Sequence, residues 1–208
     1  AAILPRVVWS GENQRLAQQL RSVYAMGVRQ LLVGNLGQVR IAKAAGFAVR
    51  GDFGLNIFNS RAMHYLRAQG IDSQLLSFEM TLPQIRDVSK AVPAEVLIYG
   101  RLPLMVTENC PLRCSGRCSG GNGGVLTDRT GAQFPVLCGY GCRPETQNSR
   151  PLYLADKPEW TNCGLRWARL RFTTETAEEA LNILRRYQGQ GAPTPQDFTR
   201  GLFYRGVE

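Results

Sequence analysis

The chain has 208 residues with 44% hydrophobic content, enough to bury a sizeable core in one domain, or in one domain with an appendage. No apolar run approaches the roughly 20 residues that a membrane-spanning helix needs, and the start, "AAILPRVVWSGENQ", lacks the basic, apolar and small-residue order of a secretory signal, so the expected compartment is the cytoplasm. A formal charge of +9 and a pI near 9.6, carried mainly by arginine, suit a polyanionic partner such as RNA, because guanidinium groups pair with phosphate in planar, bidentate fashion.

Strand and helix signals alternate from the first residues. "PRVVW" (5–9) reads as a strand, followed by a helical stretch, "NQRLAQQLRSVYAMG", in which Leu16, Leu20 and Tyr24 recur every four residues. The strand candidates "QLLVGN" (30–35), "AVRGDF" (48–53), "SQLLSFE" (73–79) and "AEVLIYG" (94–100) follow, separated by "LGQVRIAKAAG", "NSRAMHYLRAQG" and "TLPQIRDVSKAV". Gly27, Gly46 and Gly70 stand where helix C-termini are expected. This order predicts a parallel sheet with helices outside it.

The rhythm breaks at residue 101. From there to 164 the chain is rich in Gly, Cys, Pro and Arg, and an irregular inserted module is expected. "LRWARLRFT" (165–173) then reads as one more strand, and "TAEEALNILRRYQG" (176–189) as an amphipathic helix with Ala180, Leu181 and Leu184 inward. Six strand candidates are too few for a complete eight-stranded barrel. The expected architecture is therefore an α/β, incomplete TIM-type barrel: βα units over 1–100, a Cys-rich module over 101–164, a final strand and helix over 165–189, and a tail over 190–208.

Six cysteines in a chain expected to be cytoplasmic point to metal or redox chemistry rather than to a disulfide framework. "ENCPLRCSGRC" places Cys110, Cys114 and Cys118 at four-residue steps; nineteen residues later come Cys138 and Cys142, and finally Cys163. Two groups brought together by a loop can make a tetrahedral thiolate site, and thiolates bind iron-sulfur clusters and zinc alike, so spacing leaves both open. The turn signal "DRTG", inside "LTDRTGAQFPV", sits where a hairpin would return the chain towards its first cysteines. Cys163 in "TNCGLRW" reads as a small buried hydrophobe. The glycine-rich "GNGG" (121–124) lacks the lysine of a phosphate loop and reads as a turn.

Parallel βα sheets build their sites at strand C-terminal ends. Asn35, Asp52, Asn56, Glu79 and Arg101 all follow strand candidates, and Arg169 and Arg171 alternate along the last one. Carboxylates and arginines there could hold an anionic substrate or donor, or could be ion pairs and caps; Glu79, Asp52 and Arg171 are the candidate catalytic residues. His64, the single histidine, reads as a helix-surface residue without a Ser or Cys partner, which leaves a Cys-His or Ser-His protease poorly supported.

The ordered set "GDFGLNIFNSRAMHYL", "LSFEMTLPQI", "EVLIYGRLPLMVTENCPLRCSGRC", "LTDRTGAQFPV", "CGYGCRPETQNSRPLYLAD" and "FTRGLFYRGV" resembles the collagenase-like peptidase family U32, and most of all its longer members with an additional domain. The resemblance implies a barrel of βα units and a 4Fe-4S cluster (zinc being the alternative) on Cys110, Cys118, Cys138 and Cys142, with Cys114 as an alternative ligand. It also implies oxygen-independent hydroxylation of RNA bases or of a quinone precursor ring, the family name carrying the competing reading of a peptidase. RNA is the implied partner, together with whatever supplies the leading part of the barrel: a preceding segment or a partner subunit. A third reading is a zinc-stabilised RNA-binding module.

Overall fold

The computed structural model describes residues 1–118 and 123–205, so the first half of "GNGG" and the last residues of the final matched stretch lie outside the described residues. The chain forms two compact units. Ala1–Leu97 with Glu159–Arg169 and Gly201–Glu208 make the first, and Ile98–Pro158 with Leu170–Arg200 make the second.

In the first unit, β1 (Ala2–Ile3), β2 (Gln30–Val33), β3 (Ala48–Gly51), β4 (Ser73–Leu75) and the start of β5 (Ala94–Val106) pair in chain order, each parallel to the last. Helices α1 (Asn13–Ala25), α2 (Leu36–Ala44), α3 (Ser60–Ala68) and α4 (Leu82–Asp87) connect them. Their starts are set by local chemistry. Asn35 accepts from the Gly37 N–H and Asn59 from the Ala62 N–H, while Thr81 and Gln84 form a reciprocal box at the start of α4. Gly27, Gly46 and Gly70 follow the first three helices with positive φ, as the sequence predicts. Leu16 and Leu20, one turn apart, are the buried residues of α1, and burying such a side chain contributes about 1.5–3 kcal/mol. This is the strand–helix alternation of a barrel-type α/β fold carrying part of the eight strands.

The first strand is displaced from its expected place. Leu4 N–H still donates to Leu32 O at 2.9 Å, but Pro5 has no N–H to continue the ladder. Residues 5–9 run on without strand structure, and their carbonyls serve other partners: Pro5 O accepts from Gln38 and Arg6 O from Asn35.

In the second unit, β5 runs beyond its expected end at residue 100 to Val106 and pairs antiparallel with β8 (Glu145–Tyr153), with register shifts on either side of Pro103. β8 pairs with β7 (Gln133–Leu137), and β7 with β6 (Gly124–Thr127), again antiparallel. The 101–164 stretch is thus not irregular throughout. β6 and β7 are short and mostly exposed or half-buried, and Pro135 inside β7 masks the alternation that would have announced it. The β6–β7 turn is the predicted one: the Asp128 carboxylate accepts from the Thr130 and Ala132 N–H groups.

β9 (Trp167–Leu170) pairs with β5, and the bonds from Arg166 N–H to Ala94 O and from Arg171 N–H to Tyr99 O advance together along both strands, as in parallel pairing. α6 (Ala177–Tyr187) follows. Its buried face differs from the expected one: Ile183 is buried and Tyr187 packs beside it, whereas Leu181 and Leu184 are 46% and 40% exposed. The stripe that meets the core of Tyr99, Tyr153, Leu170 and Phe172 runs through Ile183 and Tyr187, one step round the helix from the leucines.

Candidate functional site

The parallel strands of the first unit gather four charges on one face. Register places Arg50 opposite Ser73, and Leu75 opposite Glu95, so Arg50 and Glu95 fall on the same side of the pleat. Asp52, just past the end of β3, lies two residues beyond Arg50. Arg169 from β9 grips Glu95 with two donors, Nε to Oε1 at 3.0 Å and Nη2 to Oε2 at 2.7 Å, and reaches Asp52 Oδ1 with Nη1 at 2.5 Å. Arg50 Nη2 adds a bond to Glu95 Oε2 at 3.1 Å, and its guanidinium lies 4.7 Å from the centre of the Trp167 ring.

Asp52 is 4% and Glu95 6% exposed, and groups buried this deeply need such partners to offset the water they lose. The cluster balances two carboxylates against two guanidinium groups, with one donor left over. Arg50 Nε is buried without an acceptor among the described residues. A fixed, charge-balanced set with a spare donor can orient an incoming polar group without rearranging first.

Of the predicted catalytic residues, Asp52 belongs to this set. Glu79 does not: it is exposed on the turn after β4, where its N–H donates to Ser77 Oγ. Arg171 belongs to the second unit and donates to Glu145 Oε1 at 2.6 Å, Gln147 Oε1 at 2.7 Å and Arg101 O at 3.0 Å. Arg101 itself holds Thr174 and the carbonyls of Asn148 and Ser149. Asn35 is a helix cap, Asn56 closes a helical turn with φ of 45°, and His64 is exposed on α3. Glu95 and Trp167 escaped the sequence reading. A lone acid at the head of the otherwise apolar "AEVLIYG" was the available signal for Glu95.

The five clustered cysteines lie in the second unit, all as free thiols. Cys110 stands at the N-terminus of α5 (Pro111–Cys114), and Cys114 ends it. Between them Leu112 is buried, its methyl groups 2.9 Å from where a Cβ on Gly124 would stand. That contact seats α5 on the first residue of β6, which pairs with Val136, two residues before Cys138. A second tie reaches Cys142. Arg143, 7% exposed, donates through Nε to Glu108 Oε2 at 2.9 Å, and Thr107 N–H donates to Pro144 O. The segments around 107–112 and 136–144 therefore run side by side.

Cys142 has φ of 60°, straight after Gly141 at 65°. A non-glycine residue in this left-handed region costs of order 1–3 kcal/mol and persists where the surroundings dictate it. Cys163 lies in the first unit, buried, with its thiol against Leu82 O and Glu159 O, and burial pushes that thiol's pKa up. Among the described residues no three Cys, His, Asp or Glu side chains stand close enough to hold a metal ion, so closing the clustered thiols on one requires them to draw further together.

A partial βα barrel with a cluster of two carboxylates and two arginines at a strand end, continued along the chain by a cysteine-bearing unit, defines a barrel-type α/β protein. The pattern of Peptidase family U32 matches residues 4–125, a stretch that contains β2 to β5 with α1 to α4, Asp52, Glu95 and the first three cysteines. The chain belongs to peptidase family U32. Neither the curated proteins nor the solved structures compared with it gave a match. No helix among the described residues is long and apolar enough to cross a membrane.

Proposed function

We propose that this chain is an iron-sulfur-dependent U32 enzyme that hydroxylates a base in RNA without molecular oxygen, the oxygen atom and the two oxidising equivalents coming from an oxygen-donor co-substrate that is reduced in turn, with a 4Fe-4S cluster held by Cys110, Cys118, Cys138 and Cys142. The observation that carries the reading is the cross-tie of Glu108 to Arg143 and of Thr107 to Pro144, which sets the two cysteine segments beside each other and leaves Cys142 in a left-handed conformation. The donor set fits such a group: sulfur-only ligands from two neighbouring segments are the usual holders of iron-sulfur clusters. A bound cluster would supply electron transfer.

The chain's own residues would do the rest. Arg113 and Arg117 are exposed, with no ion pair among the described residues, and they offset the negative charge that four thiolates bring together. Asp52, Glu95 and Arg169 provide fixed charges that orient a substrate, and Arg50 Nε a donor that awaits an acceptor. The peptidase reading has the family's name in its favour. Against it, His64 is exposed on a helix, and both buried carboxylates are committed to Arg169.

The test is nucleoside analysis of cellular RNA. Deleting the gene should remove one hydroxylated nucleoside, the intact chain should restore it, and a Cys138→Ser chain should not. An unchanged nucleoside profile, with loss of a peptide-cleaving activity instead, would overturn the proposal in favour of the peptidase.

A further inference from the structure

Trp167 is 40% exposed, in a strand whose neighbours on the chain are buried or half-buried apolar residues and arginines. Two guanidinium groups approach its ring: Arg50 at 4.7 Å and Arg166 at 6.0 Å from the centroid. They are not equivalent. Arg50 is held in place by Glu95, which Arg169 in turn fixes from the other side, so the ring rests on a tethered cation. Arg166 is exposed, and among the described residues its side chain makes no hydrogen bond or ion pair. Arg50 Nε is buried and unmatched beside the same ring. The first unit thus presents a half-exposed Trp167 with the exposed Arg166 guanidinium next to it, and a buried unmatched donor behind the ring.

The identity of the partner follows from chemistry. Every nucleobase has a flat face that stacks on an indole or a guanidinium, and the phosphates beside it attract cations. The chain as a whole is suited to such a partner: of its 25 basic residues only Lys43, Lys90 and Lys157 are lysines, and its net charge is +9. We infer that Trp167 is a stacking platform for one unpaired base of an RNA strand, with Arg166 closing over the base or pairing with its phosphate. The inference rests on the RNA reading above and adds to it where the strand is held.

The probe is a short unstructured oligouridylate, with its affinity for the full chain measured by fluorescence anisotropy at two salt concentrations. Trp167→Ala should weaken binding by about ten- to a hundredfold, the range for losing one base–aromatic stack, and leave the salt dependence as it was. Trp167→Phe, which keeps a ring and guards against a folding defect, should fall within a few fold of the wild type. Arg166→Ala should lower the slope of log affinity against log salt by about one, the mark of one lost phosphate contact. With Trp9 and Trp160 replaced by Phe, the remaining indole fluorescence should be quenched on binding. Equal affinity of the Trp167→Ala and wild-type chains would overturn the platform while leaving the RNA reading standing, as would quenching by an acidic peptide but not by RNA. A wild-type chain that binds no RNA at low salt would overturn both.

Discussion

Arg169 is the residue on which the first unit's charge cluster depends. It contacts both buried carboxylates, so Arg169→Met would leave Asp52 unpaired and Glu95 with only Arg50. Removing one partner of a buried ion pair costs about 3–5 kcal/mol, and urea unfolding should show a loss near the lower end of that range because Arg50 remains; a loss below about 1 kcal/mol would mean that water reaches the carboxylates. A second residue-scale effect is set by pH. The Arg200 guanidinium, hydrogen-bonded to Asp156 at 2.5 Å on two atoms, holds that carboxyl below its ordinary pKa of 3.8. A depressed carboxylate contributes stability above the unfolded value and loses it as pH falls through the folded one. The melting temperature of the intact chain should therefore fall below about pH 4, and part of that acid sensitivity should vanish in Asp156→Asn. An identical pH profile for the two would show that the pair is inert. Asp52 could be found from sequence because it follows a strand; its partner could not, since Arg169 and Arg171 alternate along one strand and only the tertiary fold decides that Arg169 meets Asp52 and Glu95 while Arg171 meets Glu145.

Among the elements, α6 shows how much depends on a single hydroxyl. Tyr187 donates to Ile98 O at 2.6 Å and accepts from the buried Leu154 N–H at 2.9 Å, tying the helix to β5 and to the end of β8 within the second unit. Tyr187→Phe keeps the ring against Tyr153 but removes both hydrogen bonds of the hydroxyl, which together contribute about 1–3 kcal/mol. Chemical denaturation should report a loss in that range, whereas no change would mean that the amide finds another acceptor. The helices were legible because caps and apolar spacing are local: Asn35, Asn59, Thr81 and Thr176 each accept a backbone N–H from the first turn they precede. Strands were legible where apolar residues run together and are buried, as Leu31, Leu32 and Val33 are in β2. β6 and β7 were not, because short exposed strands carry weak alternation, and the shift of β1 to Ala2–Ile3 turned on the missing N–H of Pro5. On α6 the leucines were the natural inward choice by hydrophobicity alone. The aromatic core of Tyr99, Tyr153 and Phe172 instead selects the face bearing Ile183 and Tyr187.

For the molecule as a whole, family membership and the clustered cysteines support one account: a U32 barrel-type chain whose second unit is organised around sulfur ligands. The sequence made the cysteines conspicuous by their crowding, but it could not reveal what brings the two segments together, because Glu108, Arg143, Leu112 and Gly124 are unremarkable residues until they touch. Those ties hold positions 107–112 and 136–144 beside each other, so that a cluster proposed on these cysteines would be held from both segments. The most direct measurement is native mass spectrometry of the full chain after anaerobic reconstitution with iron and sulfide. The account predicts one species heavier than the bare chain by one cluster of four iron and four sulfide, absent from Cys110→Ser, Cys118→Ser, Cys138→Ser and Cys142→Ser chains and retained in Cys163→Ser. A chain that carries a single zinc ion instead, or that keeps the cluster without Cys110 or Cys138, would contradict it.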